Sequence, residues 1–248
     1  MNIIILLFAL LFGSFLNVCI YRIPMKKSIA FPPSHCPKCQ RTLAYMDLIP
    51  IISFLFNKGK CRYCGDKISW QYPFVEMLNG IIYLLLFYHY GSTLQFAGYG
   101  LLSSLLLVIS VIDYDHQIIP DRLNVFGSIL GIIYIFIRPD SITSIDSFLG
   151  MFIGGGIFLL IALLTSGAMG GGDIKLMAML GLWFGWRYIL MVTLLSFVIG
   201  AVLSILLLVL KIKSRKDAIP FGPFISISAF ITILYGNELF NWYINIIL

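Results

Sequence analysis

Eight apolar runs divide the chain: 2–20, 74–90, 95–112, 123–137, 147–165, 174–186, 188–210 and 220–247. Most are apolar on every side rather than along one stripe. Helices of this kind are surrounded by lipid or by other apolar helices, and about 20 residues cross a hydrocarbon layer of about 30 Å. The pattern predicts an all-α polytopic membrane protein of about eight transmembrane helices. The first run, Asn2 to Ile20, has neither a basic leading region nor a small-x-small cleavage site, and is expected to be a retained span. The run 174–186 is short for a bilayer and holds Gly181 and Gly185; the turn near Trp183, Trp186 and Tyr188 resembles an aromatic interface belt. Gly150 and Gly154-Gly155-Gly156 in the fifth run predict close helix packing.

One polar segment breaks the pattern. Residues 21–73 carry nine Lys/Arg against Asp47 and Asp66, a net of +7 that marks the cytoplasmic side by the positive-inside rule. Threading eight spans from there leaves only Arg138 and Arg187 in outer loops and puts the basic cluster Lys211, Lys213, Arg215 and Lys216 inside. The expected organisation is a first span at 1–20, a cytoplasmic loop domain at 21–73 and a helical membrane domain at 74–248.

Composition agrees with the pattern. Hydrophobic residues make up 60% of the 248 and charged ones 11%, with a mean hydropathy of +0.97. That is more apolar surface than a soluble domain of this length can bury. A net charge of +6 would point a soluble chain toward nucleic acid. Here the cations belong to loop topology, and no nucleic-acid partner is expected.

Four of the five cysteines form two pairs, Cys36-Pro-Lys-Cys39 and Cys61-Arg-Tyr-Cys64, separated by 21 residues. Two such knuckles can close a tetrahedral Zn²⁺ site, and metal binding then supplies the folding energy of a segment too small for its own core. Two disulfides are the rival reading, opposed by the reducing cytoplasmic placement. His35 is expected to be only a neighbour, since four thiolates complete the site without it.

The remaining chemistry lies in acids at the edges of apolar runs. Asp113 ends the third run and Asp173 begins the sixth, after Gly170-Gly171-Gly172, whose backbone can take φ > 0 and approach another chain closely. An acid in a bilayer costs roughly 2.5 to 3.5 kcal/mol on insertion scales and is usually retained for function. In the threaded topology both acids reach one cytoplasmic mouth. Two carboxylates side by side share a proton: the ionised one can activate water while the other hydrogen-bonds a scissile carbonyl. A structural polar pair or an ion pathway remains open on the chemistry alone. Asp115 is two residues from Asp113 and points away from it on a helix, and Asp121 follows Pro120 where a helix N-cap is expected.

Asp113-Tyr-Asp115-His-Gln-Ile-Ile-Pro120-Asp121 and Gly170-Gly-Gly-Asp173-Ile-Lys175-Leu together resemble the type IV prepilin peptidase family, aspartyl peptidases named for a Gly-x-Gly-Asp motif. Gly13-Ser-Phe-Leu-Asn17-Val, Asp47-Leu-Ile-Pro50, Gly59-Lys-Cys61 and Tyr72-Pro-Phe-Val-Glu76 resemble its amino-terminal half. The likeness covers about 10 to 185. It implies Asp113 and Asp173 as catalytic residues, with Gly170, Gly172 and Lys175 supporting the motif. It implies removal of the basic leader of type IV prepilins or pseudopilins at the cytoplasmic face of a bacterial inner membrane, in a pilus or competence system. S-adenosylmethionine-dependent N-methylation of the new amino terminus is implied for many members, although no strand and Gly-rich turn in 21–73 marks a place for that cofactor. Glu76 and Asp47 are candidate contacts to the basic leader. Pro220-Phe-Gly222-Pro223, also resembling the family, reads as a hinge or re-entrant turn at the mouth. An ion- or proton-coupled transporter built on paired acids, and a zinc-anchored scaffold of an assembly machine, are the competing classes.

Overall fold

The computed structural model describes residues 1–137, 142–165, 167, 169–212, 214 and 218–247. Arg138, Lys213, Arg215 and Lys216, used above for orientation, lie outside them. The helices are α1 (Asn2–Arg22), α2 (Ile52–Phe56), α3 (Gln71–Tyr90), α4 (Leu94–His116), α5 (Asp121–Ile137), α6 (Ser144–Leu164), α7 (Gly171–Val209) and α8 (Gly222–Ile247). Among the described residues the only β pairing is two isolated bridges, His35 with Thr42 and Lys60 with Lys67. The chain is an all-helical, polytopic membrane protein, with α1, α4, α6, α7 and α8 long and apolar enough to cross a membrane by length and composition. It forms two compact units, Met1–Phe96 and Ala97–Leu248.

In the first unit α1 lies against α3. Gly13 permits the approach: a Cβ there would meet Glu76 Cα at 2.8 Å. Asn17 Nδ2 donates to Tyr72 O at 3.0 Å and Asn79 Nδ2 to Ala9 O at 2.7 Å. The rising number on one helix meets the falling number on the other, so the pair is antiparallel. Amides buried in an apolar setting need such partners, and here they fix the register.

In the second unit α4 is enclosed, with Leu102, Leu106, Ile109 and Ile112 fully buried. The helices α6 and α7 meet backbone to backbone. A Cβ on Gly150 would lie 2.5 Å from Gly181 O, one on Gly154 2.6 Å from Met177 O, and one on Gly155 2.9 Å from Ala178 Cβ. Gly156 meets nothing within 4 Å.

The sequence placed two spans at 174–186 and 188–210, joined by an interfacial turn. The structure agrees: α7 is two helices that meet at Gly185, whose φ of 69° and ψ of 177° are not helical, and a Cβ on Gly154 of α6 would touch both Met177 O and Ile189 Cγ1, one from each half. Glycine alone takes that φ cheaply, so the direction changes without a polar loop. Trp183, however, is a core residue and not part of an interface belt. Its ring stacks on Tyr134 at 5.0 Å, and its Nε1–H donates to Gly127 O at 3.0 Å. Gly131 leaves room for it, since a Cβ there would lie 2.8 Å from the indole nitrogen.

Candidate active site and metal centre

Asp113 stands in the last turn of α4 and is buried, whereas Tyr114, Asp115 and His116 beside it are exposed. Asp173 stands in the first turn of α7, behind the N-cap Gly170. Asp173 therefore lies at a helix start, where backbone N–H groups are free, while Asp113, at a helix C-terminus, takes its N–H from another element. Gly222, the first residue of α8, donates its N–H to Asp113 Oδ2 at 2.8 Å. The Gly170 N–H is turned to the Asp173 carboxylate, and the two carboxylates lie near enough to act on one another electrostatically. Asp173 Oδ1 is buried with no partner among the described residues. Such an oxygen is costly to leave unmatched, and suits a site that takes a hydrogen-bonding substrate or water.

Further contacts tie the surrounding segments together. Asn124 Nδ2 reaches Gly172 O at 3.5 Å, Lys175 Nζ pairs with Asp121 Oδ1 at 2.7 Å, and Gln117 Nε2 donates to Ala218 O at 3.3 Å. Phe221 packs on Phe158, Phe197 and Phe224 with ring centroids 5.5 to 6.0 Å away.

Two local expectations change. Gly170 has φ −69°, and none of Gly170, Gly171 and Gly172 is among the positive-φ residues. Their smallness matters at Gly172, where a Cβ would lie 2.8 Å from Ile119 Cβ. Asp121 opens α5 as its first helical residue and spends its carboxylate on Lys175 rather than capping the helix. Pro220 to Pro223 is the entry to α8, and its Gly222 lies against Asp113, at the mouth where the sequence places a hinge or re-entrant turn. Sequence reasoning passed over Asn124; an amide within an apolar run was the available signal, since it requires a buried partner.

The Sγ atoms of Cys36, Cys39, Cys61 and Cys64 all lie within 4.8 Å of one another, a cluster that could hold a metal ion. The two knuckles are built alike. Cys36 N–H donates to Arg41 O and Gln40 N–H to Cys36 O; Cys61 N–H donates to Asp66 O and Gly65 N–H to Cys61 O. The residue after each second cysteine has a positive φ, 57° at Gln40 and 73° at Gly65. Lys38 Nζ to Asp66 Oδ1 at 2.8 Å joins the knuckles, and Arg41 lies 4.3 Å over the Tyr63 ring. All five cysteines are free thiols. Backbone hydrogen bonds, led by that of Cys39, bring the Cys36 thiol from its ordinary 9.0 down to about 7, whereas Cys64, against a backbone hydrogen bond at Asp66, is pushed up to about 12 by burial and the neighbouring thiols, so the four sulfurs share their protons as one cluster. His35 turns its Nδ1 to Pro33 O at 2.9 Å.

The two acids read as leader contacts serve the first unit internally. Glu76 is buried and its Oε2 accepts from Ile51 N–H at 2.8 Å. Asp47 Oδ2 accepts from Tyr63 OH at 2.9 Å and from Ala44 N–H at 3.0 Å.

Comparison with known proteins divides the chain in the same way as its fold. Residues 7–90 match the Bacterial Peptidase A24 N-terminal domain and residues 100–205 the Type IV leader peptidase family. A "Prepilin leader peptidase/N-methyltransferase" of Legionella pneumophila is 34% identical, with 98% of this chain and 94% of the relative covered. Its namesakes in Bacillus subtilis (strain 168) and Pseudomonas aeruginosa are 34% and 33% identical, over 99% and 96% of this chain and 98% and 92% of theirs. No solved structure matches.

Proposed function

The chain belongs to the type IV leader peptidase family, and from that premise we propose that it is an aspartyl endopeptidase removing the leader of type IV prepilins or pseudopilins at the cytoplasmic face of a bacterial inner membrane. Asp113 and Asp173 are the catalytic pair. The observation that carries this assignment is that two acids sixty positions apart, at the end of α4 and the start of α7, come within electrostatic reach of one another.

In the mechanism one carboxyl of the pair is neutral and the other ionised. Two adjacent carboxylates in a dry site cannot both hold charge cheaply, so the proton belongs to the pair. The ionised member removes a proton from a water molecule, whose oxygen attacks the scissile carbonyl carbon. The neutral member hydrogen-bonds the carbonyl oxygen and stabilises the charge that develops there. Collapse of the tetrahedral species breaks the C–N bond, and the pair returns a proton to the departing amine. Atoms and charge balance without a covalent enzyme intermediate. The helix-terminal N–H groups of Gly222 and Gly170 hold the two carboxyls in place for this exchange.

Cys36, Cys39, Cys61 and Cys64 hold a Zn²⁺ ion in this reading. Four soft thiolate donors fit that metal and leave no open coordination position, so its role is structural. The relatives' name carries a second activity, N-methyl transfer. We extend the proposal to it: the 21–73 segment serves methylation of the new amino terminus, with S-adenosylmethionine as the methyl donor. The roles of Glu76 and Asp47 toward a basic leader rest on sequence; both carboxylates already have partners within the first unit.

A transporter would hold its acids near the bilayer midplane. Here they occupy the terminal turns of their helices, which favours chemistry at a surface. The deciding experiment incubates the purified protein in detergent with a prepilin and reads leader removal by gel shift. Asp113→Asn and Asp173→Asn should each abolish the shift, and processing that survives either change overturns the assignment.

A further inference from the structure

The polar segment between α1 and α3 presents an apolar surface that nothing in its own fold covers. Of the helix α2, only Phe54 is buried; Ile52 and Leu55 are exposed and Phe56 is 84% exposed. The preceding turn adds Tyr45 at 93% and Met46 at 71%, and Trp70 at 73% stands against the same helix, 4.8 Å from the Phe54 ring. Large aromatic and aliphatic side chains gathered in one patch mark an interaction surface rather than scattered exposure.

We propose that this face docks on an anionic lipid headgroup surface, so that the zinc-knuckle segment lies on the membrane. The first reason is position. Arg22 ends α1 and Gln71 begins α3, and these two helices are antiparallel, so both ends of the segment leave the helix pair at one level. Trp70 immediately precedes α3. The antiparallel partner of α3, α1, is long and apolar enough to cross a membrane, and an indole at the mouth of such a pair belongs to the headgroup layer, where its apolar body and its N–H are both matched. The second reason is charge. Lys58, Lys60, Arg62 and Lys67 follow α2 directly and are exposed, and Lys60 and Lys67 face one another across a bridge. An apolar face rimmed by cations is the composition of interfacial elements that bind anionic lipid. A soluble acidic partner would match the lysines but leave Leu55, Phe56 and Trp70 in water. The inference is independent of whether Asp113 and Asp173 are catalytic.

The test uses the full-length, zinc-loaded protein in nanodiscs of phosphatidylcholine, with and without phosphatidylglycerol. The chain has four tryptophans. Subtracting the emission of Trp70→Phe from that of the unmodified protein isolates Trp70, and equal zinc content in both establishes that the variant retains the knuckle fold. With lipids brominated near the glycerol backbone, Trp70 emission should fall by more than half in phosphatidylglycerol discs. It should fall at least twofold less in phosphatidylcholine discs, and likewise in a Lys58→Glu, Lys60→Glu, Lys67→Glu variant. Trp70 emission that is unquenched in both discs, or quenched equally regardless of headgroup charge, overturns the proposal. So does quenching that appears only after a prepilin is added, which would assign the patch to an apolar protein segment.

Discussion

Replacing Gly222 with alanine tests whether the α8 entry holds Asp113 in working position. The backbone there is that of an ordinary helix start, so the substitution acts through space rather than through φ. The added methyl would lie 2.8 Å from Asp113 Oδ2 and 3.2 Å from its Cβ and Cγ. These separations are several tenths of an ångström inside ordinary contact, and the atoms concerned sit in the last turn of an enclosed helix. The carboxyl must swing away, and the 2.8 Å hydrogen bond from the Gly222 N–H is the contact it loses. A hydrogen bond to a charged group contributes about 1.5–3 kcal/mol, and each 1.36 kcal/mol is tenfold in rate, so kcat should fall about 10- to 150-fold. KM should change little, because Gly222 touches the acid and not the peptide. The assay is the time course of prepilin leader removal in detergent at several substrate concentrations, with thermal unfolding measured in parallel. Gly200→Ala serves as a steric control, since the nearest atoms its Cβ would meet belong to the Phe224 and Phe221 rings, at 3.0 and 3.1 Å. An unchanged kcat in Gly222→Ala, or a loss of rate matched by an equal loss in Gly200→Ala, would refute the reasoning.

Changing Cys36, Cys39, Cys61 and Cys64 together to serine should lower bound zinc below one equivalent by metal analysis; undiminished content would remove the site. Thiol ligands must shed their protons to bind zinc, so protons compete with the metal at Cys36, Cys39, Cys61 and Cys64. Zinc retention followed during acid titration should therefore weaken as pH drops through neutrality, and retention that improves on acidification contradicts the assignment. Gly181→Ala would push a methyl into the Gly150 backbone; overpacking of this kind costs about 1–3 kcal/mol or more and should appear as a lower unfolding temperature in detergent. The Lys175–Asp121 pair has side chains 55% and 66% exposed, so Lys175→Met should cost less than about 1 kcal/mol of stability. A larger measured loss would mean the pair does more than hold two helix starts together.

The parts of this site that sequence revealed were side chains in the wrong solvent. Asp113 and Asp173 stood out because an acid beside an apolar run needs a reason, and the cysteines because their spacing is that of a metal knuckle. The parts it concealed were backbone features. The donor that meets Asp113 is the N–H of Gly222, and a main-chain group leaves no letter in the sequence. The break in α7 is a single φ at Gly185, which the sequence marks only by a short apolar run holding Gly181 and Gly185. Trp183 was assigned to an interface because hydropathy sees a large amphipathic ring and not the Gly127 carbonyl waiting for its N–H. Asn79 and Asn124 were legible but unread: each is an amide within an apolar run, and each ties its helix to another, Asn79 to α1 and Asn124 to the first turn of α7 beside Asp173.

Where Gly150 and Gly181 meet, main chain touches main chain with no cushion of side chains between. A joint of that sort has no slack: sliding or tilting either rod drives hard atoms together at once. The half of α7 that carries Asp173 is thereby clamped to α6. If the mouth must widen to admit a polypeptide, the travel falls to the other jaw, where α8 reaches Asp113 through a single N–H. One acid is the anvil, and the other stays on its enclosed helix and gives up only that hydrogen bond.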